Sequence, residues 1–274
     1  MSDPDRPGKP QPDQAQVYRI YLQLQQIQSE RFPASLDGLA GRLVACIGFD
    51  IEGAELALAT TISGGTFLGV EPSSENLKAA VRNGSCDFMV NTLDESLRVL
   101  KNELRKRKPL AVGLLGDAPA VLSEMVERGV QPDLVAEMRS DNEASPDCVA
   151  SLLELTMRGA GKLDARATHF SAPGGQIEAT WSAATLADLK RMDMLAQEQL
   201  PAADTARQRW LRQAPGYFHR QRPLRRVLAL RPEELLTLQR ALQKAISAGK
   251  IEGPAAICWL AEDGSRREIE LRRT

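Results

Sequence analysis

Between residues 42 and 137 the sequence alternates short apolar runs with longer amphipathic stretches, and this alternation constrains the fold more than any other feature. The stretches between the runs predict helices at about 52–64, 74–83, 92–107 and 117–128. The apolar runs, which predict strands, are RLVACI, TFLGVE, CDFMV, PLAVGLL and PDLVAE. Such alternation indicates an α/β fold, a Rossmann-like parallel sheet with helices on both faces.

The amino-terminal part of the chain lacks this alternation of short apolar runs and amphipathic stretches. Residues 1–16 are rich in proline and polar residues and predict a disordered tail. A helix follows, because apolar residues recur at three- and four-residue steps from Val17 to Ile27. We therefore expect one Rossmann-like domain over residues 17–160.

Beyond residue 160 the pattern loosens, and we expect a smaller α+β extension over residues 161–274. Glycines and prolines between residues 159 and 182 suggest loops or a short hairpin. Helices are expected at 184–198 and 232–248. The last segments alternate around Asp263-Gly264, which predicts a β-hairpin.

Composition excludes several classes of protein. The 274 residues are 43% hydrophobic, which suffices for a core, and the net charge of −1 does not fit a general polyanion binder. No run reaches the roughly 18 apolar residues of a membrane span. The four cysteines match no zinc or redox spacing and the chain has two histidines, so we expect no metal site and a reduced, cytoplasmic protein.

The first strand-to-helix junction reads Gly48-Phe-Asp-Ile-Glu-Gly53, and the next strand ends at Glu71. A dinucleotide-binding turn uses glycines for close approach to the diphosphate and an acid about 20 residues later for the ribose. Here Asp50 replaces the middle glycine, and its carboxylate would face the diphosphate. From these residues alone, both a dinucleotide site and a βα turn without nucleotide remain open.

Two longer segments carry a resemblance to a known family. LAGRLVACIGFDIEGAELALATTISGGTFLGVE and PLAVGLLGDAPAVLSEMVERGVQPDLV resemble the central NAD-binding domain of urocanase (urocanate hydratase). The resemblance covers about residues 33–145, and we expect a divergent and truncated family member. Urocanase is a lyase of histidine degradation that uses NAD as an electrophile on the imidazole ring of its substrate.

The resemblance also implies roles for particular residues. It places Gly48 and Gly53 at the turn glycines and Glu71 at the ribose acid. Asp117 and Ala118 would stand at an Asn-Ala pair beside NAD, and Ser140 at the serine of a Gln-Thr-Ser-Ala-His motif. Gly253–Trp259 is similar to the active-site signature of the family, which makes Cys258 the candidate catalytic cysteine.

Several of these matches depart from the family pattern. Met138 cannot hydrogen-bond as glutamine does, and Asn142 cannot transfer a proton as histidine can. Glu52 adds a second acid to the glycine turn, so NAD, although implied by the resemblance, meets two carboxylates there. Ala256 stands where an arginine is expected, and Cys258 also fits a small, half-buried residue of a strand.

A stretch between Thr205 and Pro232 contains arginines and aromatic residues but no acid. The arginines are Arg207, Arg209, Arg212, Arg220, Arg222, Arg225, Arg226 and Arg231. Such a composition suits phosphates, stacked bases or an anionic protein. We favour a solvated connector that lies over acidic parts of its own domain or of a twin subunit, because no nucleic-acid-binding motif accompanies the charge.

Three functional hypotheses follow. The preferred one is a urocanase-like protein that keeps the NAD-binding type of fold but is not a competent urocanate hydratase. The second is a compact urocanase-type lyase using NAD on an imidazole-acrylate-like substrate. The third is an interaction protein that binds an anionic partner through residues 205–232. We further expect a homodimer, a small-molecule ligand at the carboxyl edge of the sheet, and neither nucleic acid nor membrane as a partner.

Overall fold

The computed structural model describes residues 11–35, 37–138, 145–164, 175–219, 221–260 and 265–272. The chain divides into two compact units, one ending at residue 168 and the other beginning at residue 169. The elements of the first unit are α1 (Gln14–Arg31), β1 (Leu43–Ile47), α2 (Ile51–Ile62), β2 (Thr66–Glu71), α3 (Ser74–Asn83), β3 (Phe88–Val90), α4 (Leu93–Lys106), β4 (Leu110–Leu115), α5 (Ala118–Glu127), β5 (Leu134–Glu137), α6 (Pro146–Met157) and β6 (Gly161–Leu163).

The strands of the first unit form one parallel sheet in the order β3-β4-β2-β1-β5-β6. From β1 the chain proceeds to β2 on one side, and it later returns past β1 to β5 on the other side. The order of strands thus reverses at β1. Ligands of open parallel sheets bind at such a reversal, outside the carboxyl ends of the strands.

Helices cover both faces of this sheet because its central strands are apolar on both sides. Every residue of β1 and β2 is buried. On one face, alternate strand residues such as Ala45, Leu68 and Val112 form a single core with α4, α5 and α6. The other face packs against α2, and Leu77 of α3 lies so close to Gly113 that any side chain there would collide with it.

The second unit contains β7 (Ile177–Ala183), α7 (Leu186–Glu198), α8 (Thr205–Phe218), β8 (Arg225–Leu230), α9 (Pro232–Ser247), β9 (Ala255–Leu260) and β10 (Arg266–Leu271). Its strands form an antiparallel sheet in the order β10-β9-β7-β8. Side chains of α8 cover part of the edge strand β8: the indole N–H of Trp210 donates to the Val227 carbonyl over 2.7 Å, and the Arg207 guanidinium donates to the Ala229 carbonyl over 3.0 Å. A covering helix of this kind satisfies the free backbone groups of an edge strand.

The structure confirms the α/β fold class, the five strands of the alternating region and the helices between them. It also confirms a C-terminal α+β part with an antiparallel β9–β10 pair, although Asp263 and Gly264 lie outside the described residues. The sequence analysis missed α6. The segment interpreted as loops or a short hairpin contains β6 and β7, which belong to different sheets. Within the described residues, none of the helices combines the length and apolar character needed to cross a bilayer.

Candidate functional site

Most of the site residues predicted from the sequence lie at the carboxyl edge of the parallel sheet. Gly48 follows β1, Glu71 ends β2, and Asp117 comes two residues after β4. These strands are direct neighbours in the order β4-β2-β1. The fold therefore brings the glycine turn and the acid of the second strand together at the reversal of strand order.

The glycine turn connects β1 to α2 with the tight geometry of a nucleotide-binding turn. Gly48 has a φ of 93°, a left-handed conformation that strongly favours glycine, and its N–H donates to the Val70 carbonyl over 2.9 Å. Gly53 lies directly against the Gly48 carbonyl, so a Cβ atom at position 53 would collide with it. The first and third glycines of the turn are thus required by its backbone, whatever the turn binds.

Asp50 occupies the amino end of α2. As the N-cap residue it accepts hydrogen bonds from the N–H groups of Glu52 and Gly53, each over 3.1 Å. These are the backbone donors that a diphosphate uses in a dinucleotide-binding domain. A carboxylate of the protein therefore takes the place that a bound phosphate would need.

Glu71 is buried beneath the same turn. Its Oε2 accepts from the N–H of Phe49 over 2.7 Å, and its Oε1 accepts from the N–H of Ser73 over 2.9 Å and from the Asn76 amide over 3.2 Å. Each carboxylate oxygen thus accepts a hydrogen bond from the backbone of a different loop. In this arrangement the Glu71 carboxylate braces the glycine turn, and its role as the ribose acid stays a prediction.

One comparison with known protein families bears on this site. The model of the urocanase Rossmann-like domain matches residues 17–145. Residues 17–145 are a urocanase Rossmann-like domain. The match covers α1 to β5, and therefore includes the glycine turn, Glu71, Asp117 and Ala118.

The urocanase Rossmann-like domain also contains a buried acid, Glu55, that sequence reasoning missed. Glu55 of α2 is buried, and its Oε1 accepts from the N–H of Asp13 over 2.8 Å. Burial, opposed by this hydrogen bond and reinforced by the carboxylates of Asp13, Glu52 and Asp50, raises the pKa of Glu55 to about 7. The single acid in the apolar stretch GAELALATT was the signal available in the sequence.

The remaining residues at the positions of the family's motifs in this domain have separate surroundings. Asp117 is exposed and caps α5 by accepting from the N–H of Ala120 over 3.4 Å. Ala118, the first residue of α5, is buried in the hydrophobic core. Met138 is buried, and its N–H donates to the Ile47 carbonyl at the reversal of strand order. Ser140 and Asn142 lie outside the described residues.

Cys258 belongs to the second unit, whereas the other predicted site residues belong to the urocanase Rossmann-like domain. It lies in β9 between Thr180 of β7 and Glu268 of β10, and it is partly buried. Its Sγ accepts a hydrogen bond from the Arg266 guanidinium over 3.5 Å. The described residues contain no group of histidines, cysteines and acids arranged to hold a metal ion.

The arginine-rich stretch is part of the second unit's fold, not a connector, because it forms α8 and β8. The Arg207 guanidinium is buried and binds both oxygens of Glu234, over 2.6 and 3.1 Å. Arg226 is buried against Asp193, with both nitrogen–oxygen distances at 3.1 Å. Arg231 also pairs with Glu234, so acids of the same unit neutralise these three arginines. Arg220 lies outside the described residues.

Proposed function

We propose that this urocanase-related protein keeps the Rossmann-like fold but does not hydrate urocanate. One observation carries the proposal: the amino end of α2, where a diphosphate would bind, is capped by the Asp50 carboxylate. The divergence of the family's polar motif at Met138, which is buried and apolar, supports the same conclusion. The residues that form the Rossmann-like fold are retained, whereas residues at the positions that the family uses for chemistry are replaced.

The residues of the turn do not fit the diphosphate of NAD. A phosphate at the usual position would lie next to Asp50 and would have to displace its hydrogen bonds to Glu52 and Gly53. Two unit charges 4 Å apart near a protein surface repel by about 4 kcal/mol. This penalty adds to the loss of the capping interaction, which is worth about 1 kcal/mol.

The proposal is tested on the purified full chain by native mass spectrometry and by the absorbance of urocanate. We expect no stoichiometric NAD and no loss of urocanate absorbance. Replacing Asp50→Gly removes the charge and frees both N–H groups, so calorimetry should detect tighter NAD binding. Asp50→Asn is the matched control, because it removes the charge and keeps the cap, and we expect a smaller gain.

Two results would contradict the proposal. Stoichiometric NAD in the purified protein would show that the capped turn accepts the cofactor. Loss of urocanate absorbance that disappears in Cys258→Ala would favour the alternative, a compact urocanase-type lyase with Cys258 as its catalytic cysteine. The hydrogen bond from Arg266 to the Cys258 thiol is the observation that favours this alternative.

A further inference from the structure

The urocanase Rossmann-like domain has a second concave surface at the opposite, amino edge of its sheet. A cavity of about 640 Å³ lies between the carboxyl end of α1, the turn before β1 and the carboxyl end of α4. Four arginines line it: Arg31, Arg42, Arg105 and Arg107. Its size lies within the range of pockets that bind small molecules.

The charges around this cavity are unbalanced. Its described lining contains no carboxylate. Asp133, outside the lining, pairs with Arg42 over 2.9 Å, and Asp37 lies 3.9 Å from Arg107. The guanidinium groups of Arg31 and Arg105 bind neutral oxygen atoms, the Gly159 carbonyl and the Asn102 amide. Four cations thus face the cavity with two acids to offset them.

One of these arginines is held firmly in place. The Arg42 guanidinium lies 4.3 Å above the centre of the Phe32 ring and is fixed on another side by Asp133. A guanidinium has five N–H donors, and these contacts leave several of them available. A group positioned in this way can bind an anion without first losing the freedom of a mobile side chain.

Arg107 adds an independent observation. It ends α4 with a φ of 57°, and among the described residues it is the one residue other than glycine with a positive φ. Glycine is the residue that a left-handed helix end favours. An arginine at this position gives up backbone stability, and its side chain lines the cavity. Such conformations concentrate at binding sites.

We propose that this cavity binds the polyphosphate group of a small anion. Guanidinium forks match the paired oxygens of phosphates, and successive phosphates carry enough charge to engage several arginines at once. The source is inorganic polyphosphate or a nucleoside triphosphate, which share this chemistry. The site is separate from the glycine turn, so it does not depend on whether NAD binds there.

Calorimetry on the full chain at low salt, with sodium triphosphate and ATP as separate probes, tests the proposal. We expect both to bind, and the double change Arg105→Gln/Arg107→Gln to weaken both by at least about tenfold. Equal affinities would assign recognition to the phosphates, and tighter binding of ATP would assign the site to nucleotides. Arg98→Gln, an exposed arginine of α4 outside the cavity, is the matched control and should change neither affinity.

The single change Arg107→Gly separates binding from folding. Glycine suits the left-handed helix end, so the melting temperature should stay equal or rise while triphosphate affinity falls. No heat of binding with either probe would overturn the proposal. Binding that survives the double change, or that falls as much in Arg98→Gln, would also overturn it, because the cavity would then not be the site.

Discussion

At the scale of single residues, the carboxyl of Glu55 makes the stability of the domain depend on pH. Its pKa of about 7 in the folded protein exceeds the ordinary value of 4.5. Between these pH values the folded chain holds a proton that the unfolded chain has released. We therefore expect the free energy of unfolding to fall by roughly 1 to 2 kcal/mol as the pH rises from about 4.5 to about 7.

Glu55→Gln is the matched variant for this prediction. Glutamine keeps an oxygen that can accept from the N–H of Asp13 and has no proton to lose. Urea unfolding of both proteins at several pH values gives the difference between them, from which the other carboxylates cancel. The difference should change as the pH rises from about 4.5 through about 7 and become constant roughly one pH unit higher, where Glu55 is ionised in both states. A difference that is the same at every pH would contradict the role of Glu55.

How far the sequence could predict the site is clearest from three acids. The charge of Asp50 against a diphosphate could be predicted, since the residue stands inside a recognisable turn. The bracing role of Glu71 could not, because it depends on the distance between its carboxylate and the N–H of Phe49 in a neighbouring loop. The burial of Glu55 depends on how α1 packs against α2, which periodicity alone does not specify.

At the scale of elements, Arg207 joins α8 to β8 and α9. It donates to the Ala229 carbonyl over 3.0 Å and binds Asp204 and Glu234. Although burial raises the pKa of Glu234, the hydrogen bonds from Arg207 and Arg231 lower it to about 2. Arg207→Ala should therefore reduce the free energy of unfolding by about 3 kcal/mol at neutral pH, because it leaves buried groups without their partner.

The control for Arg207 is Arg212→Ala, which removes an exposed arginine from the same helix and should cost less than about 0.5 kcal/mol. The low pKa of Glu234 adds a second readout. Its contribution is present above pH 4.5 and is lost as the pH falls towards 2, so the gap between Arg207→Ala and the unchanged protein should narrow in acid. Equal losses of unfolding free energy in Arg207→Ala and Arg212→Ala would contradict a stabilising role for the buried contacts of Arg207.

Elements with a clear period could be predicted, and elements whose partners are distant could not. The strands β1 to β5 are short, mostly apolar runs, and the leucines of α4 recur at helical steps. α8 was missed because Pro215, Gly216 and several arginines resemble a connector. Arg207 and Arg226 look like any other arginines in the sequence, and their burial is decided by Glu234 and Asp193 from other elements.

At the scale of the whole molecule, the extent of the Rossmann-like domain depends on whether β6 belongs to it. The boundary after residue 160 stays a prediction, and β6 begins at the next residue. It pairs with β5 in parallel, Leu134 opposite Gly161, and its Leu163 is buried. A fragment of residues 11–160 loses this strand, whereas a fragment of residues 11–164 keeps it.

We expect the longer fragment to unfold at a higher urea concentration. Burial of Leu163 alone contributes roughly 2 kcal/mol, and the backbone of β5 would otherwise be exposed at a sheet edge. The Arg31 guanidinium also donates to the Gly159 carbonyl beside this strand, over 2.8 Å, a contact that depends on the turn entering β6. Leu163→Ala in the longer fragment should remove most of the gain, which separates packing from chain length. Equal midpoints for the two fragments would place the boundary before β6, because the strand would then add nothing to the stability of the domain.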